Sequence, residues 1–412
     1  MTPEKPPGLG IVIAGEFPLP VGLASTNRLM SLARGLVENG VRVHTLALRP
    51  LERPEEGIVN REARGVFNGI PFEYPCGTSV RAGTFLARRM QMAKGMLRTA
   101  RIVKDFRRNG ERTILFCYPV GLISSLFLFF VSRTLGVTLM FEENEFPDVR
   151  FSDAHRGKLY AIVYTAVVFR LPDIVLVMTG PLEEYFRHRI RADAAMFRVL
   201  MTVEMSRFLV KPPPDGEPVR YVAYCGELAG NKDGVPILLR AYAAVRGQHP
   251  DVRLVIIGDE PRTNDLANLK ALARELQIDT QVCFTGRVHR DEVPRYLCNA
   301  AVLALARPKS LQAEGGFPTK LGEYLATGNP VVVTKVGDIP RYLEDGKTAF
   351  LADPDSVEAF AGKLNQALGN PDLARRVGEN GRALALATFD YRVQAAGLLR
   401  FLAQYLTQQG EH

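Results

Sequence analysis

The sequence predicts an α/β protein built from two doubly wound domains in series, and three observations carry the prediction. Apolar runs of strand length alternate with segments of helical period along the chain. The rhythm stops once, at VKPPPDGEPV (210–219), a stretch rich in proline and charge, and then restarts. The 412 residues, 47% hydrophobic and 23% charged, suffice for two units of roughly 150–200 residues that each bury a core. Residues 1–209 form the first domain, 210–219 the linker and 220–388 the second domain.

The elements follow in order. GLGIVIAGEF reads as a first buried strand, and the loop PLPVGLAST leads into the helix NRLMSLARGLVENG. Gly40 stops that helix, and VRVHTLAL is the second strand. Further strands are expected at 113–117, 137–141 and 173–178. After the linker come VRYVAYCGEL, a helix across 234–247, VRLVIIGDEP, a helix across 263–276, and TQVCFTGRV. A helix near 291–299, the strand AVLALA, a helix from 319 to 327, and PVVVTKVGD complete the set. Alternation of this kind implies mostly parallel sheets with helices on both faces.

Composition excludes several classes. Five scattered cysteines without a C-x-x-C pair encode neither a zinc site nor a disulfide framework, and the six histidines have no ligand spacing. No metal site is expected, and a reducing cytoplasm is the natural setting. The start, MTPEKPPGLG, lacks the apolar stretch of a secretory signal. The net charge of +8 is uneven: residues 1–205 carry 27 Lys+Arg against 20 Asp+Glu, and the rest 25 against 24. The excess is densest at 81–112, where Leu86, Met90, Ala93, Leu97, Ala100, Val103 and Phe106 recur at helical spacing. That pattern reads equally as a helix with a cationic face for an anionic membrane or phosphate-bearing acceptor, or as a solvated helix on a sheet. Nothing points to nucleic acid. The uncharged run 113–132 is long enough to span a bilayer, but Tyr118-Pro119-Val120-Gly121 interrupts it, so a buried strand and helix are expected.

Open α/β sheets bind ligands beyond the carboxyl ends of their strands. The richest such segment is RPKSLQAEGGFPTKLGEYLATGNP (307–330). Gly315 and Gly316 allow close backbone approach, and a helix starting near Thr319 points its first amides at the loop, a natural phosphate site. Lys320 lies on the first turn, with Glu323 nearly on its face. A carboxylate there can accept hydrogen bonds from vicinal hydroxyls, or Glu323 is a surface residue partnered by Lys320. In GELAGNK (226–232), Lys232 offers a point charge to a phosphate. Asp353-Pro354-Asp355 has D-x-D form, but its place between a strand and a helix favours capping. Neither a Walker loop, a Ser-His-Asp order nor the G-x-G-x-x-G of a dehydrogenase is present.

Taken together, YCGELAGNKDGVPILLRAY, LVIIGDEP, VCFTGRV and GGFPTKLGEYLATGNPVVVTKVGDIPRYLEDGKTAFL resemble the retaining nucleotide-sugar glycosyltransferases of group 1 (family 4), across residues 220–385. The first half fits more loosely, through PLPVGLAST and MTVEMSRF. The resemblance implies the GT-B architecture, two Rossmann-like domains facing a cleft, with residues 389–412 packing back on the first. It implies a nucleotide-diphosphate sugar as donor, no required cofactor, and a saccharide or lipid-linked acceptor. Lys232 falls where the family's lysine holds the donor diphosphate, and Glu323 on the glutamate that holds the ribose. Gly316, Phe317, Thr319, Lys320 and Leu321 fall where the helix start meets the pyrophosphate. Val288 falls where backbone contacts the base, and Gly22 and Gly226 lie on loops that approach the phosphates.

Three departures stand out. The arginine expected after the first-loop glycine is Glu227, leaving Arg307 or Lys320 to supply its charge. The first of the paired glutamates is shifted to Glu314, with glycine at 315. The histidine of the first domain is absent from FEENEFPDVRF, which offers Glu142, Glu143 and Glu145 instead. Two other readings stay open: an epimerase or hydrolase on the same fold, and a non-catalytic binding or scaffold protein.

Overall fold

The computed structural model describes residues 8–108, 112–118, 120–151, 157–209, 220–228, 231–260 and 264–410. The chain divides into two compact units, Met1–Thr202 with Tyr391–His412, and Val203–Asp390. The predicted linker 210–219 lies outside the described residues.

In the N-terminal unit, β1 (Leu9–Gly15), α1 (Ala24–Glu38) and β2 (Arg42–Ala47) follow the expected order. Next come β3 (Arg64–Phe67), β4 (Ile70–Glu73), α2 (Phe85–Arg108), β5 (Arg112–Cys117) and α3 (Leu122–Leu135). β6 (Thr138–Glu143), α4 (Pro147–Arg150), α5 (Gly157–Val168), β7 (Ile174–Val177), α6 (Gly180–Arg187) and β8 (Ala195–Arg198) complete it. The sheet order is β3-β4-β2-β1-β5-β6-β7-β8, parallel except for the β3–β4 pair. The hairpin was not among the expected strands; Asn68 (φ 51°) and Gly69 (φ 79°) form its left-handed Asn-Gly turn.

The C-terminal unit runs β9 (Tyr221–Cys225), α7 (Val235–Val245), β10 (Arg253–Ile257), α8 (Asp265–Glu275) and β11 (Val282–Gly286). It continues through α9 (Val293–Cys298), β12 (Val302–Leu305), α10 (Leu311–Gly315), α11 (Thr319–Thr327) and β13 (Val331–Thr334). The last elements are α12 (Ile339–Tyr342), β14 (Phe350–Ala352), α13 (Val357–Gly369) and α14 (Pro371–Thr388). Its parallel sheet has the order β11-β10-β9-β12-β13-β14.

A final helix, α15 (Tyr391–Gly410), belongs to the N-terminal unit. Its Ala395, Leu398, Leu399, Leu402 and Leu406 join the core between β1, β2 and α1. Gly35 on α1 makes room for this contact, because a Cβ there would meet Ala395 at 2.6 Å. Phe401 stacks on Phe197 with centroids 4.6 Å apart, and Tyr391 donates to Glu38 at 2.8 Å. The opposite sheet face is covered by α2, α3, α5 and α6, through Val103, Leu128, Tyr164 and Phe186 among others.

Two expectations need correction. The apolar stripe of α2 is buried only in its second half, at Ile102, Val103 and Phe106, whereas Leu86, Met90 and Leu97 are exposed. The cap of α13 is Ser356, whose hydroxyl accepts from the Ala359 amide at 3.0 Å, not an aspartate. Asp353 instead pairs with Lys335, and Asp355 accepts from the Lys309 amide. The run 113–132 divides into β5 and α3, and among the described residues no helix is long and apolar enough to cross a membrane.

Candidate donor-binding site

In the C-terminal unit the strand order reverses between β9 and β12, so their carboxyl ends open a crevice. Gly226, Glu227 and Leu228 leave β9 there, and Ala306 and Arg307 leave β12. Helix α11 is fixed over these ends by Tyr324, whose fully buried hydroxyl donates to the Cys225 carbonyl (3.2 Å) and accepts from the Cys225 amide (2.6 Å). The same contacts set Lys320 one turn earlier on that helix and Glu323 immediately before the tyrosine.

Lys320 is not partnered by Glu323. Its ammonium reaches Asp233 and the Tyr224 hydroxyl instead. Asp233 is buried and lies 3.8 Å from Nε of Arg307, itself buried, while Tyr224 donates to it at 2.9 Å. Burial pushes the Asp233 carboxyl up, but Lys320, Arg307 and the Tyr224 hydrogen bond outweigh it and hold the group below the usual carboxylate range. The two cations nominated to replace the missing arginine therefore share one internal carboxylate, leaving a net single positive charge. Gly226 follows from this packing, since a Cβ would run into the Lys320 ammonium and the Tyr224 hydroxyl. Gly234 follows too: its φ of 69° is left-handed, and a Cβ would collide with the Ala306 carbonyl. Lys232 is exposed on the same loop, as is Glu227.

Glu323 is half-buried and faces arginines that the sequence analysis did not single out. Arg207, on the 3-10 turn Met205–Phe208, lies 3.5 Å from its carboxylate and also donates to the Arg290 carbonyl at 3.1 Å. Burial raises the Glu323 carboxyl above its ordinary value, with Arg207, Arg290 and Lys320 opposing. Arg207 was within sight in MTVEMSRF, but only folding brings it to α11.

The remaining candidates spread further. Ser310 caps α10 by accepting from the Ala313 amide (3.1 Å), and Glu314 is half-buried on that short helix. The Phe317 ring is buried against Tyr342 (5.8 Å) and Phe389 (5.4 Å), and Leu321 is fully buried, so both side chains are core. Thr319 begins α11, and in its first turn the Leu321 amide donates to the Pro318 carbonyl at 3.0 Å. Gly316 precedes it in extended backbone, and Val288 is half-buried just after β11. Gly22 lies in the N-terminal unit, where a Cβ would collide with Thr26. Among the described residues, no group of three or more His, Cys, Asp or Glu is placed to hold a metal ion.

In the N-terminal unit Glu142 and Glu143, the last residues of β6, are tied inward. Arg28 holds Glu142 at 2.8 Å and donates to the Val199 carbonyl (2.8 Å). Arg150 lies 3.2 Å from Glu143, whose carboxyl burial pushes up to about 7, with Arg150 opposing and Glu142 adding to it.

Residues 208–384 match the family model described as glycosyl transferases group 1. The match spans most of the C-terminal unit and less than half of the whole chain. A GDP-mannose-dependent alpha-(1-6)-phosphatidylinositol monomannoside mannosyltransferase of Mycolicibacterium smegmatis is 29% identical to this chain over 243 residues. The match covers 56% of this chain and 62% of the relative, so the chain spans under two thirds of that protein's length. The alpha-D-kanosaminyltransferase of Streptomyces kanamyceticus is 25% identical over 326 residues, 74% of this chain and 80% of the relative. The fold extends over both units. Sucrose-phosphate synthase from Thermosynechococcus elongatus superposes with a TM-score of 0.71 at 16% identity, covering 97% of this chain and 99% of the other. The Anabaena protein HepE, in complex with UDP and glucose, gives 0.69 at 14% identity, with 97% and 99% covered. These likenesses make the α/β architecture GT-B.

Proposed function

We propose that the chain transfers a hexosyl group from a nucleotide-diphosphate sugar to a saccharide or lipid-linked acceptor, with retention at the anomeric carbon. The observation that carries this reading is the crevice at β9 and β12. There Lys320, the start of α11 and the Glu323 carboxylate lie along one helix, with Arg307 beside them after β12. In this reading Lys232, Lys320 and the α11 amides take the charge developing on the leaving diphosphate, which is electrostatic catalysis. Glu323, oriented by Arg207, holds the ribose hydroxyls, and backbone at Gly226, Gly316, Phe317 and Val288 lines the donor. Glu314 stands nearest the sugar. The names of the relatives support a nucleotide-sugar donor and, for the mycobacterial match, a lipid-borne acceptor. The basic stretch 81–112 would then draw the chain to an anionic membrane surface on the cytoplasmic side.

A thermal-shift series with UDP, GDP and ADP and their sugar conjugates tests the donor assignment. Ligand far above its Kd raises apparent stability by roughly 2–4 kcal/mol. One diphosphate and its sugar should shift the transition, and Lys232→Ala and Glu323→Ala should each remove most of that shift. Unchanged binding in both variants would sink the assignment. Absence of any shift would favour a non-catalytic scaffold, with Asp233 and Glu227 as the residues that neutralise the site.

A further inference from the structure

The helices α3 and α5 lie side by side on one face of the N-terminal sheet, and their inward positions (Leu128, Val131, Tyr164, Val168) are core. Their outward positions are just as apolar. Ile123 is 55% exposed, Phe130 64%, Leu159 74% and Ile162 62%, with Val163 and Val167 beside them. Neither helix contains an aspartate or glutamate. Such a face costs free energy in water, so an outer layer of this kind marks a docking surface.

The face is held in place. The Tyr160 hydroxyl accepts from the Leu122 amide at the start of α3 (3.1 Å), and Tyr164 donates to the Val120 carbonyl (3.0 Å). Phe151 packs edge-on against both tyrosines. The two helices therefore present one fixed apolar plate.

Charge selects the occupant. Helix α2 packs beside α3 and exposes Arg89, Lys94, Arg101, Lys104, Arg107 and Arg108 against the single acid Asp105. Exposed Phe85, Leu86, Met90 and Leu97 are interleaved with these cations. Arg170 stands just beyond the C-terminal end of α5, whereas Arg133 near the end of α3 is paired with Asp173 and adds nothing to the excess. On α6, Glu183 is paired with Arg187 and Arg198, so it does not offset the excess. A second copy of this chain would bring one cationic rim against another, which repels. An anionic lipid surface offers acyl chains to the plate and opposite charge to the rim. At 14 and 12 residues, the helices are about 21 and 18 Å long, too short to cross a bilayer core of about 30 Å, so they would lie in its plane.

We propose that the outward face of α3 and α5 inserts into the acyl boundary of an anionic membrane, with α2 as its cationic flank. This goes beyond electrostatic attraction of the 81–112 stretch and does not depend on the donor-site assignment.

The chain contains no tryptophan, so F130W supplies the single indole as a reporter. The full chain is mixed with vesicles of phosphatidylcholine and phosphatidylglycerol in equal parts, and with phosphatidylcholine alone. The expected result is sedimentation with the anionic vesicles and a blue shift of indole emission on binding. In the tryptophan-free background, the double variant F130S/I162N should lower the partition by about tenfold or more. R89E/R101E should weaken capture chiefly at low salt. Both pairs are exposed, and unchanged thermal unfolding checks that they fold. Failure to bind anionic vesicles overturns the proposal, as does binding without a blue shift or binding that survives F130S/I162N. A blue shift that grows with protein concentration in the absence of vesicles would replace the membrane with a second copy of the chain.

Discussion

Tyr324 ties α11 to β9 through one oxygen that serves as donor and acceptor to the same residue, Cys225. Tyr324→Phe leaves the Cys225 amide and carbonyl short of a partner in a buried place. It should lower the stability of the C-terminal unit by about 1–3 kcal/mol, read by denaturant unfolding. It should also weaken nucleotide binding through the looser α11. Asp233 makes a different prediction, because its folded pKa is depressed. Its contribution to stability is present above the unfolded value near 4 and is lost as pH falls through the folded one. Asp233→Asn should therefore be less stable at neutral pH and show a flatter loss of stability below about pH 4. Equal acid sensitivity of variant and parent would count against the network. Lys320 and Glu323 were legible in the sequence because a glycine loop and a helix start place them locally. Their partners, Asp233 and Arg207, were not, because these lie 87 and 116 positions away and only tertiary packing brings them near.

At the level of elements, what a letter pattern cannot say is what lies beneath a helix. The 24 residues of α2 extend about 36 Å, whereas the six residues of β5 extend about 20 Å. A helix that overruns its sheet buries apolar residues only where strands support it, so Phe106 is core while Leu86 at the same spacing is not. The parallel strands flanking the site were readable as apolar runs, and the 319–327 helix was placed where it lies, as Thr319–Thr327. The β3–β4 hairpin carries little signal in the sequence, because its strands are four residues each and β3 is an edge strand without a buried residue. The α1–α15 contact makes its own prediction. Gly35→Val places side-chain atoms where Ala395 already sits, and overpacking of this kind typically costs about 1–3 kcal/mol. Thermal unfolding of the variant should show the loss, and Ala395→Gly in the same chain should restore part of it.

Across the whole molecule, the two units differ in how the chain composes them. The C-terminal unit is one continuous segment, Val203–Asp390, whereas the N-terminal unit is assembled from two, Met1–Thr202 and Tyr391–His412. A fragment spanning 203–390 should fold alone, with cooperative unfolding and dispersed amide resonances. A fragment ending at Thr202 lacks Leu398, Leu399 and Leu402, leaving one sheet face and α1 without cover. It should be aggregation-prone until a peptide covering 391–410 is supplied. Independent folding of 1–202 would contradict the assignment of α15 to that core.

The same connectivity has a consequence for synthesis. Chains are made from the amino terminus, and domains commonly fold in that order as they leave the ribosome. Here the first unit to emerge waits for α15, which is translated only after every strand of the second. The second unit can close while the first remains open, so the order of completion reverses the order of translation. A nascent chain halted before Tyr391 would expose the apolar sheet face that α15 covers, which offers chaperones and proteases a direct signal that translation stopped short.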